Sequence, residues 1–503
     1  MNSFHLSNNF KTMRFIKYIS FLLIPISLFS CKKLVEVGIP NTSISQENAY
    51  AEDGNAIPVL TNLYADMSNT ALTTQGNINS MSVIGGLSAD ELTLLTPITV
   101  ITTTGIHLYY SNTLATDLTI AGTNAPWSKI YPKVYVTNAA LEGLAASNTL
   151  SPAVKKQLQG EAKFMRAFYY FYLVNLYGDV PLVLTTDWRI NEKIPRSSKA
   201  EVWKQIIADL TDAKALLSSS YLDITLTKIT TERVRPTSWA ATAMLARAYL
   251  YTGEYAKAET EASLIINNTS QFSTATLAGA FLKNSTEAIW QLQPVVAGRN
   301  TQDAWYYILP ATGPSVVYPV YLSAQQLAAF EPGDLRKTNW ISSVTVAGRT
   351  YYFPYKYKSA TLNAAVTEYA MVLRLSEQYL IRAEARIQQD NVAGGITDLN
   401  IVRDRGTNKT LLITDSNRLP VLSATLHKGT ALTAVLHERQ TELFTEWGHR
   451  WFDLKRTGNI DVVMNVVSPL KGGFWDTAWQ LLPIPVLEVE SNPGLKGHQN
   501  PGY

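Results

Sequence analysis

Residues 239–267 read WAATAMLARAYLYTGEYAKAETEASLIIN, and the fold is decided there. Ala241, Leu245 and Ala248 recur at helical spacing and form one apolar face. Gly253 interrupts the run, after which Tyr255, Ala258 and Ala262 line a second helix. Small residues at the crossing let two helices approach closely. Glycine, then an aromatic, then alanine three positions on is the tetratricopeptide pattern. A degenerate copy, YLIRAEAR, fills residues 379–386, with a partner helix expected over 393–405 and a stop at Gly406. The expected fold is therefore all-α dominated: tetratricopeptide-like antiparallel helix pairs forming a scaffold, not a doubly wound sheet.

The neighbouring segments extend this scaffold. Ser151-Pro152 marks a helix start, with serine as N-cap and proline in the first turn, and the helix should run to Tyr177 and stop at Gly178. Phe164, Phe168, Tyr172 and Leu176 form one stripe; Met165, Tyr169, Leu173 and Tyr177 form the next. A helix apolar over so much of its surface is buried among others. A further helix over 199–217 carries Val202, Ile206, Leu210 and Leu217 inward. Two stretches depart from the pattern and read as loop-rich and short β elaborations. Residues 68–128 lack lysine and arginine, and residues 269–366 carry turn signals. Within the latter, 344–346 and 350–353 flank Ala347-Gly348 as a hairpin. Long loops on a rigid frame are where binding tends to sit. From Gly458 onward the chain is irregular, with Pro469, Pro483, Pro485, Pro493 and Pro501.

The amino-terminal region assigns a compartment. Arg14 and Lys17 precede an apolar run broken only by Ser20, Pro25 and Ser27, which reads as a secretory signal peptide too short to span a bilayer. Leu28-Phe29-Ser30-Cys31 resembles a bacterial lipobox, so Cys31, the chain's only cysteine, is the expected lipidation site. Several acyl chains would tether a soluble body to a membrane. The expected organisation is a signal peptide over 1–30, an amino-terminal part over 31–225 with the 68–128 insertion, and a carboxy-terminal part over 226–503. With a net charge of only +3 and no basic block, nucleic acid is not an expected partner.

Catalytic motifs are sparse. The six histidines form no close helical pair, so zinc chemistry has no support, and no cofactor or metal is implied. Gly86-Leu87-Ser88-Ala89 is followed by Asp90, which breaks a nucleophile elbow. Ser468-Pro469-Leu470-Lys471 fits S-x-x-K only by a loose four-residue match. Glu438, Glu442, Glu446, His449, Arg450 and Asp453 cluster. Glycosidases need two carboxylates flanking one bond, about 5–10 Å apart. Here the three glutamates share one helical face with interleaved Arg439 and Arg450, which reads as an ion-pair network docking the helix.

Several further blocks stand in order along the chain. They are Cys31 to Val37 with Pro40, Arg166-Ala167 through Tyr177-Gly178-Asp179-Val180-Pro181-Leu182, and Pro195-Arg196-Ser197-Ser198 with Glu201-Val202-Trp203. Then follow residues 239–267, Arg374-Leu375-Ser376-Glu377, Glu438-Arg439 through Arg456, Leu482-Pro483-Ile484-Pro485, and Asn492-Pro493 to Tyr503. Together these blocks resemble the SusD/RagB family of outer-membrane nutrient-binding lipoproteins, and the resemblance covers essentially all of 31–503. It implies a non-enzymatic lipoprotein, surface-exposed on the outer membrane, that binds oligosaccharide and caps a SusC-like TonB-dependent barrel transporter. It places the tetratricopeptide face toward that barrel and the ligand loops opposite. Asp334 with Arg336 resembles a structural pair of the family. A peptide-binding relative, a lipid-anchored glycan-degrading enzyme and a purely structural adaptor are the competing readings.

Sugars offer C–H faces to aromatic rings and hydroxyls to polar side chains, so exposed aromatics in the elaborations are the candidates. Trp305, Tyr306 and Tyr307, after Arg299-Asn300-Thr301-Gln302-Asp303, come first; Tyr109 and Tyr110, beside Asn112, come second; Trp340 and Tyr321 follow. Asp90 and Glu91 are possible polar partners. Trp127, Trp203, Trp239, Trp290 and Trp447 are assigned to packing.

Overall fold

The structure, a computed structural model, describes residues 46–69, 81–95, 106–114 and 126–503. The signal-peptide region, Cys31 and much of the 68–128 insertion lie outside them. Helices α1 (Asp53–Asn69), α2 (Met81–Ser88), α3 (Pro126–Ala146) and α4 (Pro152–Tyr177) open the chain. In α4 every residue from Phe164 to Tyr177 is buried, as its two adjacent aromatic stripes require. Ser151 precedes it as expected, but its side chain makes no capping bond; its backbone N–H donates instead to Asp53 Oδ1 at 3.0 Å. Gly178, with φ of 73°, ends the helix.

Helix α5 (Lys199–Leu216) starts on a capping box in which Ser198 Oγ accepts from the Glu201 N–H and the Glu201 carboxylate accepts from the Ser198 N–H. Helices α6 (Ser238–Tyr251) and α7 (Tyr255–Ile266) turn through Gly253, whose φ of 76° suits a residue without a Cβ. The short α8 (Gln302–Tyr307) belongs to the 269–366 elaboration. Helices α9 (Leu375–Gln388) and α10 (Val392–Arg405) reproduce the second expected pair. Because α5 packs on α6 and α7 on α9, the pairs α4–α5, α6–α7 and α9–α10 stack in succession. Ala246, Ala258, Ala262 and Ala385 fill the junction between the last two pairs, where larger side chains would hold the helices apart. Helices α11 (Lys428–Glu442), α12 (His449–Arg456) and α13 (Ile460–Leu470) complete the scaffold.

Among the described residues the strands pair only two by two. Strand β1 (Leu92–Leu94) meets β3 (Val320–Leu322), β2 (Ala288–Leu292) meets β6 (Ala370–Arg374), and β4 (Ile341–Val346) with β5 (Arg349–Pro354) forms the expected hairpin. Its turn residues Ala347 and Gly348 both have positive φ, 50° and 78°, the two-residue geometry that matches strand twist. The main core runs from Leu63 to Leu495. Trp290, fully buried, meets Phe164, Phe168 and Tyr64 edge-on at 5.2, 5.6 and 6.0 Å. Beyond α13, the buried Lys471 donates to the carbonyls of Leu87, at 2.7 Å, and Ser88, at 3.2 Å, which end α2.

The acidic cluster is a buried ion-pair lattice, not a surface face. Arg374 binds Glu287 at 2.9 Å, Glu442 at 2.6 Å and Glu446 at 2.8 Å. Arg336 binds Asp334 at 2.8 Å and Glu442 at 2.9 Å, which makes the 334–336 pair structural. Arg405 pairs with Glu287 and Glu442, and Arg403 binds Glu438 at 3.0 Å. Glu446 does not continue the helix of Glu438 and Glu442. The chain leaves α11 at Glu442, and Thr445 and Trp447 take positive φ. This turn drops Trp447 into the core, where its Nε1 donates to the Met371 carbonyl at 2.6 Å, and swings Glu446 onto Arg374 and Lys356.

Burial alone would raise the pKa of Glu442, but Arg405, Arg374 and Arg336 outweigh it and hold the carboxyl well below the usual range; Arg374 and Lys356 likewise lower Glu446. Stability from these groups is therefore present above the ordinary carboxylate range and lost as pH falls through the lowered values. Arg374→Met should cost roughly 3–5 kcal/mol at neutral pH by leaving buried carboxylates unpaired. Urea unfolding checks this, and the deficit should shrink near pH 4.

Candidate functional site

In the 269–366 elaboration, one buried amide fixes the approach to α8. The Asn300 side chain donates to Ser359 Oγ at 3.0 Å and to the Ala365 carbonyl at 3.1 Å. Its Oδ1 accepts from the backbone N–H groups of Thr367, at 2.8 Å, and Glu368, at 3.0 Å. Thr301 then caps α8, its side chain accepting from the Ala304 N–H at 3.0 Å. Successive residues of a helix point about 100° apart. Trp305 consequently sits half-buried at the surface while Tyr306 and Tyr307 turn inward. The Arg299 guanidinium lies 3.9 Å from the Trp305 ring centroid, a close cation–π contact that steadies the indole.

The other aromatics first named as candidates are sealed. Tyr306, Tyr307, Tyr109 and Tyr110 are 5%, 3%, 7% and 6% exposed, and Trp340 is fully enclosed with its Nε1 donating to the Leu277 carbonyl at 2.9 Å. Of these six rings Trp305 alone is not fully buried. Asp90 and Glu91 are also withdrawn. Asp90 is bound by Arg450 at 2.7 Å, and burial, then the Asp90 charge, pushes the Glu91 carboxyl up to about 8. The tryptophans assigned to packing are buried, except Trp239, which is half-buried.

A second aromatic group lies on the hairpin side of the same elaboration. The register pairs Thr93 with Tyr321, and Thr93 is hydrogen-bonded to the Tyr110 hydroxyl, so Tyr110 and Tyr321 come together. Tyr321 meets Tyr351 edge-on at 5.2 Å, and Arg349 spans both, 4.9 Å from the Tyr351 centroid and donating to the Tyr321 hydroxyl at 3.1 Å. Tyr352, on the opposite strand face, is exposed. Arg349 and Tyr351 were missed in the sequence, although hairpin alternation signals them by setting Tyr351 and Phe353 on one face and Thr350 and Tyr352 on the other. Among the described residues no group of histidine, cysteine and acidic side chains is arranged to hold a metal ion. No helix there is long and apolar enough to cross a membrane. His449 is held well below its ordinary pKa by burial and then by Arg247 and other cations, so it is a neutral core residue.

Comparison with known proteins gives this geometry a context. A family profile described as starch-binding and associating with the outer membrane matches residues 65–250, and the SusD family profile matches residues 335–503. SusD-like protein P2 of Formosa agariphila is 25% identical, over 76% of this chain and 80% of its own. SusD-like protein P25 of the same organism is 22% identical, over 96% and 98%. A SusD superfamily crystal structure from Bacteroides thetaiotaomicron shares the fold with TM-score 0.72 and 21% identity, covering 90% of this chain and all of the other. A laminarin-binding SusD-like protein (TM-score 0.69, 21% identity, 90% and 100% covered) and surface glycan-binding protein A of Bacteroides fluxus (0.70, 20%, 90% and 99%) share it too.

Behind Trp305, Asp303 borders a small cavity with Tyr307, Lys356, Tyr357 and Glu446, and burial, then the Glu446 charge, pushes its carboxyl up to about 7. Such a group weakens the fold as pH rises from the unfolded carboxyl's range to about 7. Asp303→Asn should therefore stabilise the protein at pH 8, by roughly 1–2 kcal/mol after allowance for partial exposure, and change little at pH 4, as read by thermal melts.

Proposed function

Because the chain belongs to the SusD/RagB family, we propose that it is a surface lipoprotein that captures oligosaccharide and passes it to a TonB-dependent barrel transporter. The observation that carries this reading is the partly exposed Trp305 ring, backed by Arg299 on a helix whose entry is clamped by Asn300. A pyranose ring stacks its C–H face on such an indole, while the neighbouring Arg299 guanidinium bonds its hydroxyls. On the hairpin, partly exposed Tyr351 with Arg349, resting on buried Tyr321, supplies a second contact for further sugar units. The glycan-binding names borne by two relatives of the same fold favour this ligand class over peptide. A glycosidase would need one protonated acid and one base across a cleft. Glu438, Glu442 and Glu446 are instead buried against arginines, and the lowered pKa values of Glu442 and Glu446 keep both ionised. The anchor belongs to this proposal as well: acylated Cys31 would hold the body at the outer membrane.

Trp305→Ala should weaken retention on gels containing a panel of neutral polysaccharides, laminarin among them, by about tenfold (about 1.4 kcal/mol). Its melting temperature should be unchanged, and undiminished retention would remove Trp305 from the site. Cys31→Ser should release the protein from the membrane fraction; persistence there would refute lipid anchoring.

A further inference from the structure

A cavity of about 600 Å³ lies where the end of α4, the start of α5, α12 and residues 480–501 meet. Its lining is rich in donors and poor in acceptors. Lys455 Nζ, which can give three hydrogen bonds, has one partner, the Asn175 carbonyl at 2.5 Å. Trp203, 5% exposed, has an indole N–H with no partner, and the Tyr251 hydroxyl also lacks one. Among the described residues neither Lys199, Lys455 nor Arg196 forms an ion pair. Arg196 donates only to the carbonyls of Asp179, His498 and Tyr177 and to Asn500 Oδ1.

The remaining charges do not correct this imbalance. Arg456 also lines the cavity but is bound to Glu384 at 2.5 Å and to Asp453 at 2.8 Å. The one acidic lining residue is Asp179, whose Oδ1 accepts the Lys199 backbone N–H at 2.7 Å and whose charge acts on Arg196, which leaves Lys455 without a carboxylate of its own. That N–H belongs to the first turn of the 18-residue α5, whose amino end adds positive potential. Burial, then the neighbouring Lys199, pushes the Lys455 ammonium down to about 7, the mark of a cation lacking its counter-charge.

We infer that this cavity is an oxyanion site, taking a carboxylate or sulfate group on Lys455 and Lys199. An oxyanion brings only acceptors, which is what the lining lacks, and charge-assisted hydrogen bonds to lysine are the strong kind. The group has two sources: a free inorganic anion or an acidic sugar such as a uronate. The site shares no residue with the Trp305 or Tyr351 groups, so it does not depend on the glycan reading.

Calorimetric titration at constant ionic strength tests it, with sodium sulfate, sodium glucuronate and glucose as probes at pH 6.5. Sulfate, glucuronate or both should bind and glucose should not. Tighter binding of sulfate identifies a free-anion site, and tighter binding of glucuronate an acidic-sugar site. Lys455→Met and Lys199→Gln should each lower the affinity at least about tenfold. Lys199 is exposed, so its variant keeps the test valid if Lys455→Met proves unstable. Absence of binding by both anions, or binding unchanged in both variants, would overturn the inference and leave Lys455 as no more than a cap on the last turn of α4. Retention on neutral polysaccharide should be unaffected by either substitution, which separates failure here from failure of the proposed function.

Discussion

Four arginines and five carboxylates closed away from water set the terms for the rest of this molecule. Arg336, Arg374, Arg403 and Arg405 interlock with Glu287, Asp334, Glu438, Glu442 and Glu446 across segments far apart in the chain. Buried charges are tolerated only when each is paired and its remaining hydrogen-bonding positions are filled. Arg374 meets that condition with three carboxylates and the Glu442 carbonyl at 2.9 Å. The lattice therefore fixes where β6 ends, where α11 breaks, and where the 269–366 elaboration can leave the helical scaffold.

That rigidity bears on recognition. A loop that orders itself on binding spends part of the contact energy on lost freedom. Here Asn300 joins residues 59 to 68 positions apart before any ligand arrives. Arg299 in turn limits the movement of the Trp305 ring. The platform is consequently preformed, and weak sugar contacts are not eroded by an ordering cost.

The helical scaffold was legible because its signals are local. Alanines at crossing positions, Gly253, and the Ser198–Glu201 capping box each act within a few residues of themselves. The hairpin was legible for the same reason. The candidate site was only partly readable. An aromatic run such as Trp305-Tyr306-Tyr307 states that rings are present, but tertiary packing decides which faces water, and it turned two of the three inward. Helical spacing placed Glu446 in line with Glu442, and the pull of the Trp447 pocket, of Arg374 and of Lys356 breaks that continuity. The acceptor-poor cavity was not readable, since it joins residues from five segments with no common motif.

The ammonium of Lys471 closes α2 through the Leu87 carbonyl, a partner 384 positions earlier in the chain. Closure entropy of so long an intervening loop must be met before that contact gives anything back, and topologies rich in such contacts fold slowly. The segment bearing α2 thus remains without its cap until nearly the whole polypeptide has been made. Nascent chains shorter than about 470 residues therefore lack this bond to the end of α2.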